Sequence, residues 1–274
     1  MKAPLLLFIL TVITTTITGA FLNEVDVIKN PFLIVRGIPF SFSLILILGS
    51  HELGHYFVSK KHGVSATLPY FIPAPTILGT FGAVIKMKSQ VKDRLSLCDI
   101  GAAGPLIGFL FAIPVYIIGL RISKIIPVED FSNGLFLGSS LITSFMTELF
   151  IPDIPDGYTL VYNPIAFAGW AGFLITSFNL IPIGQLDGGH VAYSLLGKTQ
   201  ELFSRIMLFI LVVMGITFSQ VWLIWAMLLL ILGIKHPPTY DLSTPLDRKR
   251  KVLCLFCLLV FILTFTPDPM KFVE

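Results

Sequence analysis

The sequence predicts an all-α polytopic membrane protein: a single domain over residues 1–274, with six or seven transmembrane helices and a small membrane-associated β-hairpin. Three observations predict it. Of the residues, 55% are hydrophobic and only 13% are charged, more apolar than a soluble core requires. The apolar residues gather in runs close to the roughly 20 residues that cross a hydrocarbon layer of about 30 Å. One stretch between two runs is broken by Pro69, Pro73, Pro75, Gly79 and Gly82 and then alternates apolar with basic residues, which is the period of a strand.

The apolar runs lie at about 3–21, 37–60, 97–120, 163–183, 203–219, 221–234 and 252–266, the sixth short enough to form a hairpin with the fifth. Residues 2–20 also fit a secretory signal, since Lys2 precedes an apolar run ending Thr18-Gly19-Ala20; the direction of the later runs is the same either way. The net charge of +3 matters less than its distribution. After the second run, Lys60, Lys61, Lys86, Lys88, Lys92 and Arg94 face only Asp93, whereas the 121–162 segment carries Glu129, Asp130, Glu148, Asp153 and Asp156. Basic loops are retained in the cytoplasm, so the first stretch is expected inside and 121–162 outside. Arg248, Lys249, Arg250 and Lys251 then fall inside on a seven-span path from an inner N-terminus, giving a multi-pass protein of the cell membrane. Such a juxtamembrane cluster is a topological signal. The lipid bilayer is therefore the expected partner surface, and no nucleic acid is expected. Cys98, Cys254 and Cys257 are too few for a disulfide scaffold and read as small buried side chains.

Within this frame, residues 131–150 read as an interfacial or re-entrant helix on the outer side. The third run opens Ser96-Leu-Cys-Asp99, an S-x-x-D pattern that predicts a capping box with Asp99 structural. Gly104 and Gly108 have the G-x-x-x-G spacing of close helix packing, and Gly169 and Gly172 are expected to let the fourth run approach the second. In the 64–89 segment, Val84-Ile-Lys-Met-Lys88 is the expected strand. Its edge would present an extended substrate by β-augmentation; the alternative is an amphipathic loop on the lipid headgroups.

The chemistry sits in the second run, at His51-Glu52-Leu53-Gly54-His55. Residues four apart share a helix face, so two imidazoles converge on one metal ion, and Glu52 beside them is placed as general base toward water. Ionisable groups at a helix centre cost roughly 2.5–3.5 kcal/mol each, a cost that a bound ion offsets and an empty cluster does not. A catalytic zinc site takes three protein ligands and keeps one position open. Asp187, in Asn179-Leu-Ile-Pro-Ile-Gly-Gln-Leu-Asp187-Gly-Gly-His190, is the best third donor, with His190 competing. The charge-derived path brings both motifs to similar depth on the inner side. Asp187-Gly188-Gly189 also fits a turn ending a helix. The Asn179 amide suits either an oxyanion or an interhelical hydrogen bond. His62, in a basic loop, and His236, before Pro237 and Pro238, read as surface or interfacial histidines.

The sequence resembles the site-2 protease family of intramembrane zinc metalloproteases. The resemblance spans about residues 37–251 and rests on HELGH at 51–55, PYFIPAP with LGTFGAVIKMKS across 69–89, DIGAAGPLIGF at 99–109 and NLIPIGQLDGGH at 179–190. HPP at 236–238 followed by PLDRKRK is similar to the plastid and archaeal or bacterial branch. The resemblance implies that His51, His55 and Asp187 hold Zn2+, that Glu52 is the catalytic base and that Asn179 serves the oxyanion. It further implies regulated intramembrane proteolysis, with transmembrane proteins as substrates and the active site toward the cytoplasmic side. Two rivals follow from the same residues: a metal-ion transporter, which needs polar groups through both leaflets where this cluster is one-sided, and a non-catalytic scaffold, which has no use for Glu52. Hydrolysis also requires a water-accessible polar cavity at this depth.

Overall fold

A computed structural model describes residues 2–130, 134–237, 239, 241 and 244–273. The start of the 131–150 apolar stretch, 131–133, and Pro238 of the HPP motif lie outside the described residues. The helices are α1 (Lys2–Leu22), α2 (Ile38–Lys61), α3 (Arg94–Arg121), α4 (Leu141–Phe150), α5 (Pro164–Asn179), α6 (Asp187–Leu196), α7 (Gln200–Thr217), α8 (Val221–Leu232) and α9 (Arg248–Thr264). The strands are β1 (Tyr70–Pro73), β2 (Thr80–Val84), β3 (Lys124–Pro127), β4 (Gly134–Leu137), β5 (Tyr158–Val161) and β6 (Met270–Val273). They form three two-stranded antiparallel sheets, β1–β2, β3–β5 and β4–β6.

Among the described residues, four helical stretches are long and apolar enough to cross a membrane: Ala3–Leu22, Pro31–Lys61, Arg94–Arg121 and Asp187–Thr217. The fourth apolar run of the sequence is helical only over the 16 residues of α5. Pro182 lacks an amide and disfavours helix at the residue before it, so the apolar sequence outlasts the helix. The fifth run falls mostly within α7, which follows α6 in the apolar stretch Asp187–Thr217; Gly197, at φ +61, ends α6, and the 3-10 turn Gly197–Thr199 leads into α7.

Helix α3 is the central post, packed against α2, α5, α6 and α9. Phe40, Leu44, Ile47, Tyr116, Leu120 and Phe173 of α2, α3 and α5, with Trp222 of α8, fill the main core. On the other flank α9 lies on α3 through Cys98, Cys254, Cys257 and Val260, all three thiols free and buried. The predicted capping box at Ser96 is replaced by another cap. Asp93, with extended backbone, accepts the Ser96 amide hydrogen at 2.7 Å and caps α3. Asp99 instead receives Arg250 Nε at 2.9 Å and Nη2 at 2.5 Å, and His62 Nε2 lies 2.9 Å away, tying together α9, α3 and the end of α2. The physical reason is position: the helix already begins at Arg94, so Ser96 is its third residue and Asp93 holds the place from which a side chain caps the orphan amides of the first turn.

Helix α1 is bound to its neighbours by polar contacts as well as apolar ones. Thr15 Oγ1 and Ser41 Oγ lie 2.6 Å apart between α1 and α2, and Thr14 Oγ1 donates to the Gly79 carbonyl of the hairpin at 2.7 Å. The β1–β2 hairpin turns through Gly79 at φ +74 and bends at Gly82, φ +102, conformations that favour glycine. Ladder pairing ends at Val84, earlier than the alternation predicts, and resumes as an Ala66–Met87 bridge. Along it Lys86 and Lys88 face outward while Ile85 and Met87 turn inward. In the 121–162 segment, α4 begins at a Ser140–Thr143 capping box, so the helix expected over 131–150 is confined to its second half.

Candidate metal centre

The site is built on a stripe of small residues along α3. A Cβ on Gly54, which lies between the two histidines of α2, would meet the Ala103 carbonyl at 2.8 Å, so the two backbones touch there. The imidazoles then lie over the G-x-x-x-G pair: a Cβ on Gly104 would collide with the His55 ring, and one on Gly108 would come 3.2 Å from His51. One turn earlier Gly101 receives α6, where a Cβ would meet His190 Cβ at 2.8 Å and the Asp187 carbonyl at 3.1 Å. Gly169 and Gly172 of α5 do the same work against Tyr116 and against Ile47 of α2. The glycines thus leave room for polar side chains between helices that would otherwise close on one another.

Asp187 is the first residue of α6, so Asp187-Gly188-Gly189 starts a helix and does not end one. A Cβ on Gly188 would strike the Leu180 carbonyl and one on Gly189 the Gly184 carbonyl, so the opening turn of α6 rests directly on the 180–184 backbone. The carboxylate projects from there onto the two imidazoles. Asp187 Oδ2 lies 3.2 Å from both His51 Nε2 and His55 Nε2, and the two nitrogens are 3.1 Å apart. A tetrahedral ion with bonds near 2.0–2.1 Å holds its ligand atoms about 3.3 Å apart. The donors are one short step from that spacing, and they form the group among the described residues able to hold a metal.

The orientation of His55 strengthens the fit. His55 Nδ1 is 2.8 Å from the Ile100 carbonyl, an acceptor only, so Nδ1 carries the hydrogen and Nε2 turns its lone pair inward. That lone pair faces a carboxylate oxygen at 3.2 Å, and a cation, metal ion or proton, must lie between them. Glu52 sits beside the group with Oε1 3.9 Å from His51 Nε2, buried, and neighboured by the Ile85 backbone of the hairpin.

These residues open onto a cavity of about 550 Å3, lined by His51, Glu52, His55 and Asp187 and walled by residues 83–87 of the hairpin. Asn179, the last residue of α5, lines it too, and its side chain has no protein partner among the described residues. His190 also lines the cavity but turns Nδ1 to His236 at 2.6 Å, away from the three-donor group. His62 stays with Asp99 and Ser96. His236 departs from the surface position expected of it: it is partly buried, lines the cavity, and burial lowers its pKa from the ordinary imidazole value. Its only sequence signal is the HPP motif, because no helix spacing links positions 190 and 236.

Comparison with known proteins places this geometry in a family. The chain is similar to the chloroplast protein of Arabidopsis thaliana named probable zinc metalloprotease EGY2, 31% identical over 248 residues, which are 89% of this chain and 44% of that protein. The probable zinc metalloprotease EGY2 of Oryza sativa subsp. indica is 30% identical over 87% of this chain and 45% of its own length. EGY1 of Arabidopsis thaliana, likewise named a probable zinc metalloprotease, is 29% identical over 84% of this chain and 43% of its own. The chain therefore spans less than half the length of these relatives. No solved structure matches it. The sequence pattern of peptidase family M50 matches residues 39–218, a stretch that contains the histidine pair, the glycine stripe and Asp187, and the chain belongs to that family.

Proposed function

We propose that the chain is an intramembrane zinc metalloprotease that hydrolyses peptide bonds within or next to transmembrane segments of other proteins. The observation that carries it is the convergence of His51, His55 and Asp187 within 4.8 Å beside the buried Glu52 carboxylate. Two imidazole nitrogens and a carboxylate, with no fourth donor grouped with them among the described residues, are the donor set of catalytic zinc. When bound, zinc supplies a Lewis acid that makes hydroxide accessible near neutral pH.

The remaining steps belong to the chain. His55, its tautomer fixed by Ile100, holds its donor nitrogen in register, and Asp187 balances the charge. Glu52 takes the proton of the attacking water and returns it to the leaving amine. Asn179, whose side chain has no protein partner among the described residues, donates to the developing oxyanion. The 84–87 wall offers main-chain groups to an extended substrate, and Gly54, Gly104 and Gly108 keep the space in which this happens. We read the chain as six or seven spans in the cell membrane with this cavity toward the cytoplasm, on the strength of the basic residues at 60–94 and 248–251. A transporter is disfavoured by the same geometry: the donors form one compact group, and Glu52 has no task in transit.

The test compares wild type with Glu52→Gln, measuring bound zinc and cleavage of a transmembrane peptide. Zinc is expected in both and cleavage only in wild type. Equal cleavage by both removes Glu52 from the role of base, and a wild type free of metal refutes the ligand set.

A further inference from the structure

The connection between α8 and α9 reaches the metal cavity, which His236, Pro237 and Thr239 line along with the hairpin. It leaves α8 through Gly233, at φ +95, against the Gly184 turn that precedes Asp187: a Cβ on Gly184 would strike the Gly233 carbonyl. Two ties then hold it. The His236 ring stacks on Tyr193 of α6 at 4.2 Å and 13°, and its Nε2 meets His190 Nδ1 at 2.6 Å. Further on, the Asp241 amide donates to the Lys92 carbonyl at 3.0 Å, and Asp93 and Asp241 pair as a parallel bridge. The connection is thus fastened to α6 at one point and to the tail of the hairpin at the other. Between those ties, Pro237 and Thr239 line the cavity onto which Glu52 and Asp187 open.

We propose that His236 is a positioning residue that latches the α8–α9 connection to α6 through His190, so that a peptide substrate is held between this connection and the 84–87 wall. The proposal rests on the protease reading above. It follows from what both ring nitrogens do. His236 Nδ1 is 2.5 Å from the Pro237 carbonyl and therefore carries the hydrogen, which leaves Nε2 to accept from His190 Nδ1–H. The latch needs a neutral, accepting imidazole, and burial of His236 favours that form. A substrate lying along one strand edge alone would have one face open to water. With the connection latched, the scissile segment is enclosed on a second side. Lys235 and Glu201, 3.3 Å apart with the lysine largely exposed, add little to the fastening.

The experiment uses the full chain in detergent with the Glu52→Gln substitution, so that peptide binding is read without hydrolysis. A fluorescent transmembrane peptide is titrated against this protein and against versions carrying also His236→Ala or His236→Gln; hydrogen exchange is followed over residues 234–241, and bound zinc is measured. His236→Ala is expected to weaken peptide binding about tenfold, the loss of one partly buried hydrogen bond and a ring stack, and to speed exchange in 234–241 with zinc content unchanged. His236→Gln keeps an acceptor near the Nε2 position and is expected to recover most of both. Unchanged exchange in the alanine variant overturns the latch, and unchanged peptide affinity overturns the substrate role. Loss of zinc along with affinity overturns both, making His236 a support of the metal site. The protease reading fails separately: a protein with intact Glu52 that binds the peptide and its zinc yet leaves the peptide whole sinks that reading while the latch result stands.

Discussion

Replacing Gly104 with alanine is the sharpest perturbation of the proposed metal site, because the added methyl lands on the His55 imidazole and not on a flexible side chain. Three ring atoms of His55 lie closer to the new Cβ position than real Cβ atoms approach anything. Ordinary contact between heavy atoms needs about 3.5 Å, so the ring must retreat by more than about 1 Å or the helices must part by as much. Metal–ligand bonds tolerate only about 0.2 Å of error. Displacing a residue that merely supports a ligand costs 10–100-fold in affinity, and losing the ligand costs at least the upper end of that range. Gly104→Ala is therefore predicted to weaken zinc binding by about 100-fold or more, or roughly 2.8 kcal/mol at about 1.4 kcal/mol per decade. Gly108→Ala is the internal comparison: its Cβ would be 3.2 Å from His51 Cβ and Nδ1, a conflict relieved by a few tenths of an ångström. It is predicted to cost less than about tenfold. The assay is competition against a chromophoric chelator in detergent, with circular dichroism to establish that each variant remains helical. A helical Gly104→Ala protein that binds zinc within threefold of wild type refutes the reasoning, as does a Gly108→Ala protein damaged equally.

Arg250→Met removes the paired contacts on Asp99 and leaves that partly buried carboxylate with only His62; thermal unfolding is expected at lower temperature, by about 2 kcal/mol of stability. Adding Asp99→Asn should recover part of the loss, and a double variant no better than the single one contradicts the pairing. Trp222→Phe deletes the Nε1 bond to the Pro267 carbonyl at 2.6 Å and is expected to cost about 1 kcal/mol, read as an earlier midpoint in denaturant; an unchanged midpoint places that bond outside the stability of the fold.

How far the sequence carried depends on the range of each interaction. The His51–His55 spacing is local, since one helical turn brings residues four apart to one face, and both were readable before any fold was known. Gly104 and Gly108 were legible as a packing motif, but not as the seat of the two imidazoles, because that depends on how α2 crosses α3. Gly101, the third member of the stripe, falls outside the four-residue spacing and was not singled out. The capping box at Ser96 misled because Asp93 and Asp99 flank it at equal distance, and only the folded chain shows which one precedes the free amides and which one Arg250 claims. Apolar runs overstate α5, since hydropathy continues through Pro182 where hydrogen bonding cannot. His236 was out of reach for the plainest reason: its partner His190 is 46 residues away, across two helices.

The opening turn of α6 has a further consequence for anyone who would re-engineer the cavity. Where Gly188 and Gly189 lie against carbonyls of 180 and 184, main chain bears on main chain, with no rotamer between them to slip or be repacked. The height of Asp187 is thus set as by a shim rather than a spring. A mutagenesis library can vary the walls at 83–87, Pro237 and Thr239 widely and leave the carboxylate where it is, provided those two positions stay bare.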